Sequence, residues 1–508
     1  MKKLVRKTLS FVAASAMAMG MLAGCGASGS GSASEQASVE SPETSVAEEN
    51  VTESQTAAPQ EEADIEKPEK ITWMVHSGLA EEDGIAEWEA EFERLTGIEL
   101  EIRNVSNNEY YQVLELAFAS GDIPDIFDVD AAHYPVYASQ NAIADLTDLF
   151  NNSELKDKID SKYMEAIELD GRIYGVPSES ISGSVTYVRK DWLDQLGMEL
   201  PKTYDEFITM LERFRDEIPE CQTPLTSAGI MNAMYLPEFY QGANPDFVYV
   251  DGQWVDGMQQ PNMEQALTNL QNAYAEGLLD PEVITNETST CRDLLFSGSV
   301  GVFNYWAGTW AGRLEDGLNQ NFPDAELVAL EPIEGAQYLT QPTGNYVING
   351  RLDDDRIAQL FKYFIEYMND GAEGQVLFSF GVEGVHWEQD GEYVKMLPSL
   401  SNPEQNLVKA WRDPSLNIVE FEDPNKKCDL GESVLYSLEL AETYGKMLNI
   451  TPVSETLTKI RSDLQIIKED TLAKVIMGSM TVEEGLASYK AQAAALGVDQ
   501  VLAEMNAQ

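Results

Sequence analysis

Positive charge is scarce in this chain. Its 508 residues hold 33 Lys+Arg against 87 Asp+Glu, a formal charge of −54. Nucleic-acid binding needs a basic surface that releases counterions from phosphates, so that class is excluded. Anionic membrane surfaces repel such a chain, and polyanionic ligands are disfavoured for the same reason. Neutral or cationic small molecules remain. Histidine is nearly missing: His76, His133 and His386 are the full set, and no two stand at metal-ligand spacing. Neither a zinc centre nor a cofactor is expected. Only four cysteines occur. With Cys25 assigned below, Cys221, Cys291 and Cys428 allow one bridge at most, so stability must come from a core. A Gly-x-Ser-x-Gly elbow and a phosphate-binding loop are both lacking. No short-period repeat occurs, which argues against a solenoid or propeller. What is present is a 43% hydrophobic, 9% aromatic composition, enough to bury a large core.

The first 25 residues read as an address. Lys2, Lys3, Arg6 and Lys7 precede an apolar run from Leu9 to Leu22 that carries Ser10 and Ser15. The run is too short and interrupted for a good membrane span but suits a secretory signal, 1–24. It ends in Leu22-Ala23-Gly24-Cys25, which resembles a bacterial lipobox. That resemblance implies cleavage before Cys25 and lipidation of its thiol. Residues 26–68 have no aromatic, ten acids and one Lys, and cannot bury enough surface to fold. They form an acidic tether with a reach of roughly 35–40 Å.

From Glu69 the patterning changes. Ile71–Val75, Ile98–Ile102 and Asp125–Val129 read as strands. Between them, Ile85, Trp88, Phe92 and Leu95, then Val113, Leu114, Ala117 and Phe118, recur at helical spacing. Gly97 and Gly121 supply the stops. This βαβαβ alternation implies a parallel sheet with helices on its faces, whose ligands bind at the carboxyl ends of the strands. Further on, Thr203 to Glu206 and Thr481 to Glu484 have capping-box form. Asp251-Gly252 between β-prone runs is a hairpin signal. Helices are expected at about 262–276, 354–368 and 481–495, and a strand at 300–303.

Several stretches carry a resemblance. They are Ala119–Phe127 (ASGDIPDIF), Asp170–Pro177 (DGRIYGVP), Tyr187–Leu193 (YVRKDWL), Pro201–Phe207 (PKTYDEF), Leu294–Gly301 (LLFSGSVG) and Gly381–Trp387 (GVEGVHW). In this order, behind a lipobox, they resemble the extracellular solute-binding proteins of carbohydrate ABC transporters, family 1, in its LipO/YtcQ-like lipoprotein branch. The resemblance implies an α/β, two-lobed periplasmic-binding-protein-like fold (type II), with hinge-connected lobes, a central cleft and a chain that crosses the hinge more than once. Lobe one is placed at 69–182 plus 342–400, and lobe two at 183–341 plus 401–508. It also implies a non-catalytic, monomeric receptor, lipid-anchored at the outer face of the cytoplasmic membrane, that passes an oligosaccharide to ABC permease subunits.

Sugars have polar edges and apolar C–H faces, so their sites combine aromatic platforms with carboxylates and amides. Candidates lie just after sheet strands. His76 follows the first strand, as hydroxyl partner or loop cap. Asp130, His133 and Tyr134 follow the third, with Asp130 as ligand contact or helix N-cap. Glu179 follows Val176-Pro177 at the expected crossing. Asn304, Trp306 and Trp310 follow the 300–303 strand. In sugar-binding relatives a Trp of this stretch stacks on a pyranose, which implies that role for Trp306; one of the two Trp residues is expected to pack in a core. Tyr346 lies near a hinge, as contact or packing. Trp387 and Trp411 read as core or rim.

Rival functions remain from the residues alone. A peptide or polyamine receptor fits the acidity equally. A secreted glycoside hydrolase needs two flanking carboxylates, and among so many acids such proximity proves little.

Overall fold

The expected strands and helices of the first lobe assemble around the strand Lys70–His76. The computed structural model describes residues 65–507 except 77, 181, 342, 343, 404, 405 and 408. The expected signal peptide, Cys25 and the tether up to residue 64 lie outside the described residues. Lys70–His76 sits between Glu99–Val105 and Ile126–Val129, parallel to both. The helices Ile85–Thr96 and Tyr110–Ser120 make the connections. The first buries Ile85, Trp88 and Phe92, the stripe visible in the sequence. Gly97 and Gly121 close the two helices at φ 71° and 84°, in the left-handed region that favours glycine. Two returning segments then extend the sheet. Asn345–Ile348 pairs antiparallel with Ile126–Val129, and Val176–Pro177 pairs antiparallel with Asn345–Ile348.

A second sheet centres on Ser182–Arg189. Val300–Trp306 runs antiparallel beside it, with Thr223–Thr226 parallel beyond. On the other side, Tyr338–Gln341 pairs antiparallel with Ser182–Arg189 and parallel with Gly445–Met447. Leu327–Ala329 also pairs with Ser182–Arg189. Both capping boxes form, at Tyr204–Glu217 and Val482–Leu496. The hairpin Phe247–Val250 with Gln253–Asp256 turns on Asp251 and Gly252, both at positive φ. The helix expected at 354–368 starts as α-helix, Asp354–Leu360, and widens into a π-helical turn, Phe361–Glu366.

Each sheet has its own core. The first is aromatic: Trp73 is fully buried and meets the rings of Phe364 at 5.3 Å and Trp411 at 4.9 Å, both edge-on. The second is built on Trp192, Phe207, Met210, Phe214 and the helices Met263–Ala275 and Glu455–Ile476. Residues past the expected boundary at 400 also pack in the first core. Ala410, Trp411, Ile418 and Val419 belong to the first core, because Trp411 closes the aromatic cluster over Gly78. The chain therefore passes between the sheets near 178–182 and 341–345, and again between Phe421, stacked on Phe380, and Leu430, packed on the second side. The described cysteines, Cys221, Cys291 and Cys428, are free.

The Pro124-Asp125 turn staples the first sheet. Asp125 Oδ2 accepts from Thr72 N–H (2.9 Å), Thr72 Oγ1 (3.1 Å) and Arg356 Nη2 (2.8 Å). These bonds tie two strands to a helix more than two hundred residues away. Asp125→Ala should lower the unfolding free energy by about 2–3 kcal/mol in urea titration. A loss within about 0.5 kcal/mol, as for an ordinary surface site, would show that the carboxylate is idle.

Candidate functional site

The two sheets present the ends of their strands to the crossings. In the first sheet, Val129 pairs with Asn345 and Asn345 with Pro177, so the chain leaves the sheet beside the loop that begins at Asp130. In the second sheet, Gly183 pairs with Thr340 and Ser184 with Trp306. Trp306 is the last residue of its strand, which runs three residues beyond the expected 300–303. At Gly183 a Cβ would come 2.7 Å from Thr340 Cγ2, so any larger residue would force the Thr340 side chain to move.

A cavity of about 200 Å³ lies at this junction. It brings together Glu179, Trp306 and Trp310 of the sequence candidates, with Arg313, Lys409 and Asp413. Glu179 Oε1 accepts the Asp413 N–H at 2.9 Å and stands 3.5 Å from Lys409 Nζ. Asp413 Oδ2 in turn accepts from Thr309 Oγ1 at 2.5 Å, at the start of the helix Thr309–Asn319. The crossing itself is held by Ser180 N–H donating to Leu416 O (2.6 Å) and by Arg412 Nε donating to Ser178 O (2.8 Å). Trp306 is part-buried and meets Tyr235 edge-on at 6.3 Å. Trp310 meets Tyr305 edge-on at 5.0 Å, and its ring carries the guanidinium carbons of Arg313 at 4.8 Å and Arg292 at 5.1 Å.

His76 stands nearby. Its Nδ1 lies 2.7 Å from Asp128 Oδ2, and its ring lies 4.7 Å from that of Tyr110. Burial pulls its pKa down, but the hydrogen bond and charge of Asp128 outweigh this and raise it above the ordinary value. Lys409 links the two regions, since it lines the cavity and its charge opposes His76 protonation. Asp130 is not the N-cap of the helix Tyr134–Ser139, a place taken by His133, but holds the turn before it: Oδ1 accepts from Ala132 N–H and His133 N–H, both at 2.9 Å, and lies 2.8 Å from His133 Nδ1. Burial would raise its pKa, but His133 holds it below the ordinary value. The His133 ring stacks on Tyr111 at 3.6 Å.

Three candidates are buried and do not line this cavity. Tyr134 is fully buried, and its hydroxyl accepts the Tyr174 N–H at 2.9 Å. Tyr346 is 3% exposed and packs edge-on against Trp73. Asn304, still inside its strand, donates to Thr186 Oγ1 at 2.9 Å. Thr186 donates to buried Glu238 at 2.6 Å, whose pKa burial pushes up to about 7. His386 is also structural. Its Nδ1 accepts the Val382 N–H and its Nε2 donates to Asp83 O, both at 2.9 Å, which fixes the neutral form, and burial lowers its pKa. Lys409, Asp413, Thr309 and Arg313 were not singled out by the sequence. Thr309 and Arg313 lie on the helix Thr309–Asn319 that follows the 300–303 strand, whereas Lys409 and Asp413 follow no expected strand and only the path of the chain after 400 brings them here.

Two α/β lobes, joined by several crossings with a cavity at the junction, define a two-lobed periplasmic-binding-protein-like fold. A family model described as bacterial extracellular solute-binding protein matches residues 80–349, more than half of the sequence, and the chain belongs to that family. Its members are binding proteins rather than enzymes. Lipoprotein LipO of Bacillus subtilis (strain 168) is 21% identical over 328 residues, 60% of this chain and 64% of its own length. The chain thus spans less than two thirds of that relative. The polygalacturonan/rhamnogalacturonan-binding protein YtcQ of the same strain is 21% identical over 446 residues, 81% of this chain and 86% of its own. Among solved structures, the N-glycan transport solute binding protein NgtS from Streptococcus pneumoniae superposes with a TM-score of 0.63 at 17% identity, covering 87% of this chain and 98% of that one.

With three histidines, proton NMR can follow each ring. His76 should titrate above 6.5 and His386 below it. The signs differ. The raised His76 value adds stability that is full below the unfolded pKa and lost as pH rises through the folded one. The lowered His386 value gives stability that is full above the unfolded pKa and lost as pH falls through it toward the folded one. Asp128→Asn should bring His76 down. A His76 already at or below the ordinary value would contradict the Asp128 pairing.

Proposed function

We propose that the chain is the extracytoplasmic substrate-binding lipoprotein of an ABC importer. It captures an oligosaccharide between its lobes and delivers it to the permease, without catalysis and as a monomer. Cys25 carries the lipid, at the outer face of the cytoplasmic membrane, and the acidic tether holds the body away from the bilayer. The observation that carries this reading is the meeting of Trp306 and Glu179 in one cavity at the lobe crossing. An indole offers an apolar face to the C–H side of a pyranose, and carboxylates accept from its hydroxyls. His76, with Nδ1 engaged by Asp128, keeps Nε2 for a further hydroxyl. Ligand contacts from both lobes favour a closed state, which presents one surface to the permease. Family membership supports the reading, as do two relatives, the polygalacturonan/rhamnogalacturonan-binding protein YtcQ and the N-glycan transport solute binding protein NgtS.

Thermal shift across a glycan panel, with peptides and polyamines as controls, tests the reading. A glycan at a hundred times its dissociation constant should stabilise the protein by about 2.7 kcal/mol. Trp306→Ala should weaken that glycan by roughly tenfold or more while leaving the unliganded melting temperature near its original value. A response to peptides alone would sink the sugar reading, and unchanged affinity in the variant would remove Trp306 from the site.

A further inference from the structure

The 200 Å³ cavity departs from the charge balance of the chain. Its lining holds two bases, Arg313 and Lys409, and two acids, Glu179 and Asp413, where the sequence as a whole has 33 bases to 87 acids. Both acids are occupied. Glu179 takes the Asp413 N–H and faces Lys409. Asp413 takes the hydroxyls of Thr309 and Ser415 and the Ser415 N–H. Arg313 differs. Buried Arg412 is held by the Ser178 and Met368 carbonyls and Asn369 Oδ1, and Arg189, Arg213, Arg215 and Arg356 pair with carboxylates. Among the described residues neither Arg313 nor Arg292 has one. Arg292 donates to Tyr305 Oη at 2.5 Å, and Arg313 only lies over the Trp310 ring. Two guanidiniums thus share one indole and repel each other beside the two cleft tryptophans, and the charge of Asp413, already bonded to Thr309 and Ser415, only partly offsets this at Arg313.

We propose that the cavity receives a carboxylate of the ligand, bound by the Arg313 guanidinium, so that the captured glycan is a uronate-containing, acidic oligosaccharide. The inference rests on the receptor reading above and adds a ligand class to it. A guanidinium matches a carboxylate in a two-bond fork, and an anion placed there relieves the repulsion between Arg313 and Arg292. The overall negative field does not forbid this. At physiological ionic strength charges beyond about 8 Å are largely screened, so adjacent cations dominate inside the cavity.

The test is calorimetric titration of the full folded body with di- and trisaccharides of galacturonate, glucuronate and mannuronate. Each is paired with its methyl ester, and neutral glycans run alongside. At least one acid should bind roughly 10- to 100-fold more tightly than its ester, the range of one charge-assisted contact. Arg313→Gln should bring that ratio close to one, and Arg313→Lys should keep part of it. Salt gives a readout without any variant: acid affinity should fall with ionic strength while ester affinity stays level. Neutral glycans binding as tightly as the acids, with no salt dependence, would overturn the proposal and leave the receptor reading standing. An acid preference that survives in Arg313→Gln would overturn the assignment to Arg313. Silence toward every glycan would remove both.

Discussion

The Glu179 carboxylate sits where the chain first leaves one sheet for the other, and it accepts the backbone N–H of Asp413 from a loop more than two hundred residues later. Asp413 then reaches the hydroxyl of Thr309, which opens the helix Thr309–Asn319 behind Trp306. Two carboxylates, one amide and one hydroxyl therefore tie together a crossing, a loop packed on the first core and a helix of the second lobe. The positions of Trp306, Trp310, Arg313 and Lys409 around the cavity depend on that junction. Charge-assisted bonds of this kind are strong and directional where water is partly excluded, so they set geometry as well as energy.

Electrostatics acts here on two length scales. Across the molecule the excess of acids favours solubility and repels polyanions at a distance. Within a few ångströms of the crossing the balance is even, and the acids are already satisfied by hydroxyls, amides and Lys409. Net charge thus describes the surface as a whole and not the lining of the cleft. The same contrast appears in the histidines. His76 beside Asp128 is biased toward its charged form, while His386, enclosed by Asp83 O and Val382 N–H, is held neutral.

Local signals in the sequence were legible where one element decides its own fate. Trp88 and Phe92 mark a helix face, Thr203 and Glu206 close a capping box, and Asp251-Gly252 turns a hairpin. The cleft was legible in part. Glu179 and Trp306 follow from the rule that ligands meet strand ends, and both reach the cavity. Tyr134 and Tyr346 obey the same rule in position but point into the core, because proximity to a strand end does not fix the face a side chain occupies. Asn304 falls inside a strand that continues three residues further than its apolar run suggested. Trp411, Lys409 and Asp413 depend on the late return of the chain to the first lobe, a long-range pairing that periodicity does not encode.

The most direct measurement is a crystal structure of the protein with the glycan that stabilises it most. A receptor that closes on its ligand at the lobe crossing should show a pyranose ring against Trp306, with polar contacts from Glu179 or Lys409 on one side and the helix Thr309–Asn319 on the other. A sugar bound to a single lobe, away from Trp306 and the Glu179–Asp413 junction, would contradict it.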